Sequence, residues 1–334
     1  MAIKYIPLGS SSIQISNMAF GCWAIVGGFN WGPQDKKDSI EALSAAFDLG
    51  ITLYDTAEAY GDGQSEQLIA KVFAGKRDKI VISSKVLPEH YSPKELLKAC
   101  ERSLKNLKTD WIDLYQLHWP NRDYPIEETL SILDKIKQQG KIREYGVSNF
   151  GVKNLQECLN AGYFICSNQL SYNLLFRAIE YEIKPFCLNN NIGILCYSPL
   201  MQGLLTGKFK TDSEVSDDRA RTRHFSGRRS QARHGEKGWE KETFRTLSQI
   251  RQIAEKMGES MANISLAWLK AQPGVNSLLM SGRNAHQVKH NVQAINLNLS
   301  EEIIQKLNQV SEPLKQILGK NADMWQGEKD SRIS

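Results

Sequence analysis

Short apolar runs alternate with amphipathic helical patterns along nearly the whole chain, and this alternation limits the fold more than any other feature. Strand-like runs lie near 17–22 (NMAFGC), 51–55 (ITLYD), 79–84 (KIVISS), 112–117 (IDLYQL), 142–147 (IREYGV), 166–170 (CSNQL), 192–197 (IGILCY) and 276–280 (NSLLM). Helical patterns at 37–48, 65–73, 93–107, 125–138 and 179–190 fall between them. Ser92 before Pro93, with Glu95 in the first turn, marks a helix start. Eight strands in strict alternation with helices fit a closed parallel (β/α)8 barrel better than an open sheet. The stretch 3–16, with a Gly-Ser turn at 9–10, is expected to form a hairpin plugging the barrel bottom. Both 240–257 and 261–271 look helical, so one is expected to be an insertion between strands seven and eight. The helical segment 300–310 and the tail 311–334 are expected to follow the last barrel unit. No repeat or linker divides the chain, so residues 1–334 are expected to be one domain.

Composition narrows the class. With 41% hydrophobic and 24% charged residues, the 334-residue chain can bury a sizeable core and is not disordered. No run of 18 apolar residues occurs, which argues against a membrane span. The N-terminus lacks a basic segment followed by an apolar block, so a cytoplasmic location is expected. The six cysteines include no Cys-x-x-Cys pair and read as reduced core thiols. The six histidines show no ligand spacing, so no metal is expected. No Gly-x-Gly-x-x-Gly follows a strand, which leaves a Rossmann domain unsupported. The net charge is 42 − 37 = +5, and residues 207–238 carry nine cations against five acids. That stretch reads as a solvated basic loop or as a clamp for a phosphorylated ligand. It lacks the interleaved aromatics of a nucleic-acid surface.

In a parallel barrel the active site lies at the C-terminal ends of the strands. Three neighbouring strands end near Asp55 (with Tyr60 just beyond), Lys85 and His118. Each has an ordinary explanation: a turn cap, a loop aromatic, a solvated lysine, a core histidine. Four such groups at equivalent strand ends are harder to dismiss. A buried ammonium beside a phenol is expected to lower the phenol pKa. A carboxylate would keep the lysine charged, and a histidine could orient a carbonyl oxygen. Together they make a proton donor suited to carbonyl reduction. No side chain can supply hydride, which implies a nicotinamide cofactor.

The motifs LYDTAEAYGDGQSE (53–66), ISSK (82–85), WIDLYQLHWP (111–120), GKIREYGVSNF (140–150), NQLSYNLL (168–175), YSPLMQGLLTGKF (197–209) and SGRNAHQVKHN (281–291) carry a resemblance. In this order and over this span, the chain resembles the aldo-keto reductase superfamily. The likeness is nearest to bacterial sugar- and polyol-type reductases and to potassium-channel β-subunit-like members. The resemblance implies a catalytic tetrad of Asp55, Tyr60, Lys85 and His118 and an NADP(H) cofactor. It places Gly21, Cys22 and Trp23 at nicotinamide and substrate, with Trp23 walling the pocket. Ser148, Asn149 and Gln169 match groups that hold the nicotinamide carboxamide, and Tyr197 matches the residue stacked on its ring. Ser198, Pro199, Leu200, Gln202, Gly203 and Lys208 match the pyrophosphate segment, and Arg219 falls in the loop expected to close over it. Gly282, Arg283, Gln287 and Asn291 match the site of the adenosine 2′-phosphate at the start of the last barrel helix. The chain departs from the pattern at His290, where relatives usually carry an acid.

Two functions follow from the resemblance: an NADPH-dependent reductase of aldehydes, ketones or sugars, and a cofactor-loaded regulatory subunit of an ion channel. The chain opens almost at its first hairpin strand, which favours the enzyme. The expected partner is a small carbonyl compound. Trp23, Trp31, Trp119 and Trp325 suggest an aromatic mouth, and residues 321–334 are expected to fold over it. The sequence carries no signal for the physiological substrate or the oligomeric state.

Overall fold

The computed structural model describes residues 3–28 and 31–334. An antiparallel hairpin comes first, β1 (Tyr5–Pro7) paired with β2 (Gln14–Ser16). Eight parallel strands then close a barrel: β3 (Met18–Gly21), β4 (Leu53–Asp55), β5 (Val81–Val86), β6 (Ile112–Leu117), β7 (Ile142–Ser148), β8 (Ser167–Ser171), β9 (Gly193–Tyr197) and β10 (Val275–Met280). β10 pairs with both β3 and β9, which leaves the barrel no free edge. Every residue of β6 is buried, as a strand enclosed by the barrel lumen and an outer helix requires.

The hairpin seals the bottom. Leu8, Ile13 and Ile15 are buried against Ala19, Leu53, Leu114, Leu195 and Leu279 from the strands. Gly9 sits at φ +53°, and a Cβ there would collide with the carbonyl of Cys166, so the turn needs glycine to approach this closely.

The helices are α1 (Lys36–Asp48), α2 (Gln64–Val72), α3 (Pro93–Leu107), α4 (Ile126–Gln138), α5 (Val152–Asn160), α6 (Ile183–Asn189), α7 (Glu240–Met257), α8 (Met261–Lys270), α9 (Ala285–Gln293) and α10 (Glu301–Leu318). Between β9 and β10, α8 is the buried crossover helix packed on β10, and α7 is the insertion, packed on α10.

α3 begins at Pro93, as the Ser92-Pro93 pattern predicts, although the Ser92 hydroxyl makes no capping bond. Two expectations are corrected. The expected helix over 179–190 begins only at Ile183, after a 3-10 turn at Ala178–Glu180. The last helix runs on to Leu318 through Pro313, because its buried face, Leu307, Ser311, Leu314 and Leu318, packs along the whole length. Tertiary burial there outweighs the lost backbone hydrogen bond.

All six cysteines are free and buried. Among the described residues no helix is long and apolar enough to cross a membrane, and no three His, Cys, Asp or Glu side chains group as a metal site.

The tail beyond α10 is pinned at three places. Arg223, from the loop after β9, donates to the carbonyls of Leu318 (2.9 Å) and Asn321 (3.1 Å). Buried Asp323 accepts from the Arg332 guanidinium at 2.8 and 3.0 Å. At its end, the Asn154 amide at the start of α5 donates to the Ser334 carbonyl at 3.1 Å.

Candidate active site

The barrel brings the three strand ends together. Asp55 is the last residue of β4 and pairs in register with Ser83 on β5; Lys85, two residues on, pairs with Gln116 on β6. The Lys85 side chain is wholly buried. Its Nζ donates to Asp55 Oδ2 at 2.7 Å, to the Thr56 carbonyl at 2.8 Å and to the Tyr60 hydroxyl at 3.4 Å. Tyr60 is delivered by the turn after β4, where its amide donates to the Ala57 carbonyl. Its ring stacks on Trp23 at 5.9 Å and meets His118 edge-on at 6.0 Å. His118 Nδ1 is buried without a partner.

A cavity of about 860 Å³ opens above these groups. Asp55, Tyr60 and His118 line it, as do Gly21, Trp23, Ser148, Asn149, Gln169 and Tyr197. One wall is the run after β9 with Ser198, Pro199, Leu200, Gln202 and Gly203, backed by Lys208 and Arg219. The far end is Gly282, Arg283, Gln287 and Asn291. Lys85 stands behind Asp55 and Tyr60 rather than in the wall. Cys22 lies behind this wall: it is fully buried, its amide donates to the Asp55 carbonyl and its thiol faces the Phe20 carbonyl.

The polar groups here are tightly shared. Gln169, which lines the cavity, donates to Asp55 Oδ1 at 2.7 Å. Tyr197 donates to Asn149 Oδ1 at 2.8 Å, and Asn149 donates to the His118 carbonyl at 3.2 Å and the Ser148 hydroxyl at 3.0 Å. Arg283 is turned to Gln34 Oε1 at 2.6 Å and to the Pro33 carbonyl, and Gln287 accepts from the Arg283 amide at 2.9 Å.

Charge and burial compete at the centre. Burial pushes the Tyr60 phenol above its ordinary range; the Lys85 ammonium pulls it down but does not win. The expected lowering is therefore corrected: sequence proximity shows the neighbouring charge but not the desolvation that outweighs it. Burial would lower the Lys85 pKa, yet the Asp55 carboxylate and Tyr60 together hold it above the ordinary value. Burial, with Lys85 and Arg332 adding to it, lowers His118 to about 3, so the ring is neutral.

In the wall after β9, Ser198, Met201, Gln202 and Gly203 all have positive φ, the kind of backbone from which anion-binding concavities are built. Gly203 sits at φ +92°, a conformation that favours glycine, and a Cβ there would stand 3.2 Å from Lys208 Cε and 3.7 Å from Arg219 Nη1, so both cations lie against this turn.

Some wall residues escaped the sequence reading. Arg332 stacks on Trp119 with its guanidinium 3.6 Å from the ring centroid, which puts the tail beside His118. Arg221 lies over Trp325 at 4.9 Å, and Arg233 lines the same rim. The basic character of 207–238 pointed to the two loop arginines; the tail 321–334 was expected over the mouth, but nothing in it singled out Arg332.

Residues 17–312 match the family model of the aldo/keto reductase family. The chain belongs to that family. This aldo/keto reductase is 34% identical over 321 residues to aldo-keto reductase YhdN of Bacillus subtilis, covering 93% of this chain and 94% of that one. It is 31% identical over 336 residues to the NADH-specific methylglyoxal reductase of Escherichia coli, covering 94% and 100%. Among solved structures, an aldo-keto reductase from Klebsiella pneumoniae in complex with NADPH superposes with a TM-score of 0.73 at 27% identity, covering 100% and 99%. Family membership makes the protein an oxidoreductase.

Because Trp325 and Arg332 line the cavity, removing residues 321–334 should change which aldehydes are preferred. We expect the ratio of kcat/KM between a small and a bulky aldehyde to move about tenfold, the scale of one pocket contact. NADPH affinity should change less than this ratio, since Lys208, Arg219 and Arg283 all remain in place. Unchanged ratios across an aldehyde panel would show that the tail is only a cover.

Proposed function

We propose that the protein reduces the carbonyl of small aldehydes, ketones or sugars with NADPH, Tyr60 being the proton donor. The observation that carries this is the buried Lys85 ammonium, held between the Asp55 carboxylate and the Tyr60 hydroxyl at the floor of the cavity. NADPH, when bound, supplies the hydride. The fit to it rests on the run of positive-φ residues at 198–203, the Lys208 and Arg219 cations beside Gly203, and the polar groups around Tyr197. The Tyr60 hydroxyl, protonated through the neutral range, gives its proton to the carbonyl oxygen as negative charge develops there. Lys85 keeps the resulting phenolate tolerable, and Asp55 keeps Lys85 charged and in place. Neutral His118 orients the carbonyl oxygen, with Trp23 as a flat wall beside it. The test is loss of NADPH absorbance on adding a generic aldehyde or methylglyoxal. NADPH binding without turnover on a broad panel would instead support the regulatory-subunit reading.

The coenzyme is read at Arg283. NADP differs from NAD by one phosphate, and a guanidinium can grip phosphate oxygens with parallel hydrogen bonds. Arg283 stands at the start of α9, an unfavourable place for a cation unless an anion joins it. Arg283→Ala should weaken NADPH binding by about 1.5–3 kcal/mol, the range for a charged hydrogen bond, and NADH binding much less. The competing role is visible in the structure: Arg283 also clamps Gln34 and Pro33. If that clamp is all it does, fluorescence titration will show equal losses for both coenzymes and no change in the salt sensitivity of NADPH binding.

A further inference from the structure

We propose that Arg221 and Arg233 form an anion subsite at the cavity mouth that takes the phosphate of a phosphorylated aldehyde or ketone. The inference rests on the carbonyl-reductase reading and names its substrate class. Both residues line the cavity that holds Tyr60 and His118. Among the described residues neither has an acidic partner within 4 Å, whereas Arg223, Arg229 and Arg332 are paired with Glu236, Asp217 and Asp323. Arg221 Nε is buried with no hydrogen-bond partner at all. A buried charged donor left unsatisfied is costly and calls for an acceptor. The two guanidinium groups also act on each other: burial and then Arg233 lower the Arg221 pKa, and Asp218 only partly opposes them. An incoming dianion would relieve both penalties.

Placement favours the substrate over the cofactor as the source of that anion. The proposed pyrophosphate wall already has its cations, Lys208 and Arg219 beside Gly203, and the proposed 2′-phosphate site has Arg283. Arg221 instead lies over the Trp325 ring. Trp325 in turn stands beside the Tyr197 hydroxyl, on the tail that also delivers Arg332 to Trp119. The pair therefore belongs to the tail-covered part of the mouth. Two guanidinium forks match a phosphate ester, with its three terminal oxygens and nearly two negative charges, better than a carboxylate.

The experiment compares glyceraldehyde 3-phosphate, glyceraldehyde and succinic semialdehyde as substrates with NADPH, in wild type, Arg221→Gln and Arg233→Gln. Wild type should favour the phosphorylated aldehyde over both others. Each variant should lose about 10- to 100-fold in kcat/KM for it, the factor for one charged hydrogen bond. Loss for glyceraldehyde should stay below about threefold, and NADPH affinity should hold. No wild-type preference, a preference for the carboxylated aldehyde, or equal losses on charged and neutral substrates would overturn the subsite. A fall in NADPH affinity would overturn it too and give the arginines to the cofactor. Calorimetric binding of glycerol 3-phosphate to the NADP-loaded protein separates the two readings. If no aldehyde is turned over but this binding occurs and is lost in the variants, the reductase reading fails and the subsite stands. If wild type does not bind it, the subsite falls.

Discussion

Replacing Tyr60 by phenylalanine should lower carbonyl reduction by at least about 100-fold, the lower range for loss of a general acid. The substitution removes one oxygen and keeps the ring that stacks on Trp23 and abuts His118. The hydroxyl has one hydrogen bond to lose, a long one of 3.4 Å from Lys85. Stability should therefore change by no more than about 1 kcal/mol, and NADPH affinity should hold. The same hydroxyl sets the pH dependence. Burial raises the phenol pKa, and His118 is held neutral down to about 3. Reduction needs the protonated phenol, so its rate should be flat across neutral pH and fall only on the alkaline side, beyond the ordinary tyrosine range. An inflection near the ordinary histidine pKa would contradict a neutral His118. Turnover of the wild-type order in Tyr60→Phe would remove Tyr60 from its role.

Much of this site was legible because the barrel turns sequence position into place. Once eight strands are counted, the residues closing strands two, three and four must share one rim. That is why Asp55, Tyr60, Lys85 and His118 could be grouped without coordinates. The runs themselves were visible because strands buried on both faces are continuously apolar, as in IDLYQL over β6. What stayed hidden depends on direction and on distant contacts. Cys22 follows β3 next to two wall residues, but alternation turns its thiol into the core. Gln169 reaches Asp55 across the lumen, a pairing no local pattern shows. Pro313 reads as a helix breaker until the packed face of α10 is seen. The sign of the Tyr60 shift is a balance of burial against one charge, and only geometry weighs the two. Arg332 reaches Trp119 because the tail crosses the mouth, guided by Asp323 and Asn154.

Lys85→Met should abolish turnover to a similar degree while exposing a second role of the same charge. Lys85 is one partner of a buried ion pair with Asp55, and removing one partner strands the other. Such losses run to about 3–5 kcal/mol, although Asp55 would keep hydrogen bonds from Gln169 and Ser83 at 2.7 and 3.2 Å. The Lys85 pKa is raised in the fold, so its contribution is complete below the ordinary lysine range and is lost only as pH rises above it. Destabilisation of Lys85→Met should therefore be equal at about pH 6 and about pH 8. A double variant, Lys85→Met with Asp55→Asn, removes both charges and should recover most of the stability. It should stay inactive, because nothing then offsets burial at the Tyr60 hydroxyl. Residual activity in the single variant should persist to higher pH than in wild type, since the ammonium that lowers the phenol pKa is gone. If the double variant regains turnover along with stability, the Lys85 charge serves the fold alone. If its alkaline limb matches that of wild type, Lys85 does not tune the phenol.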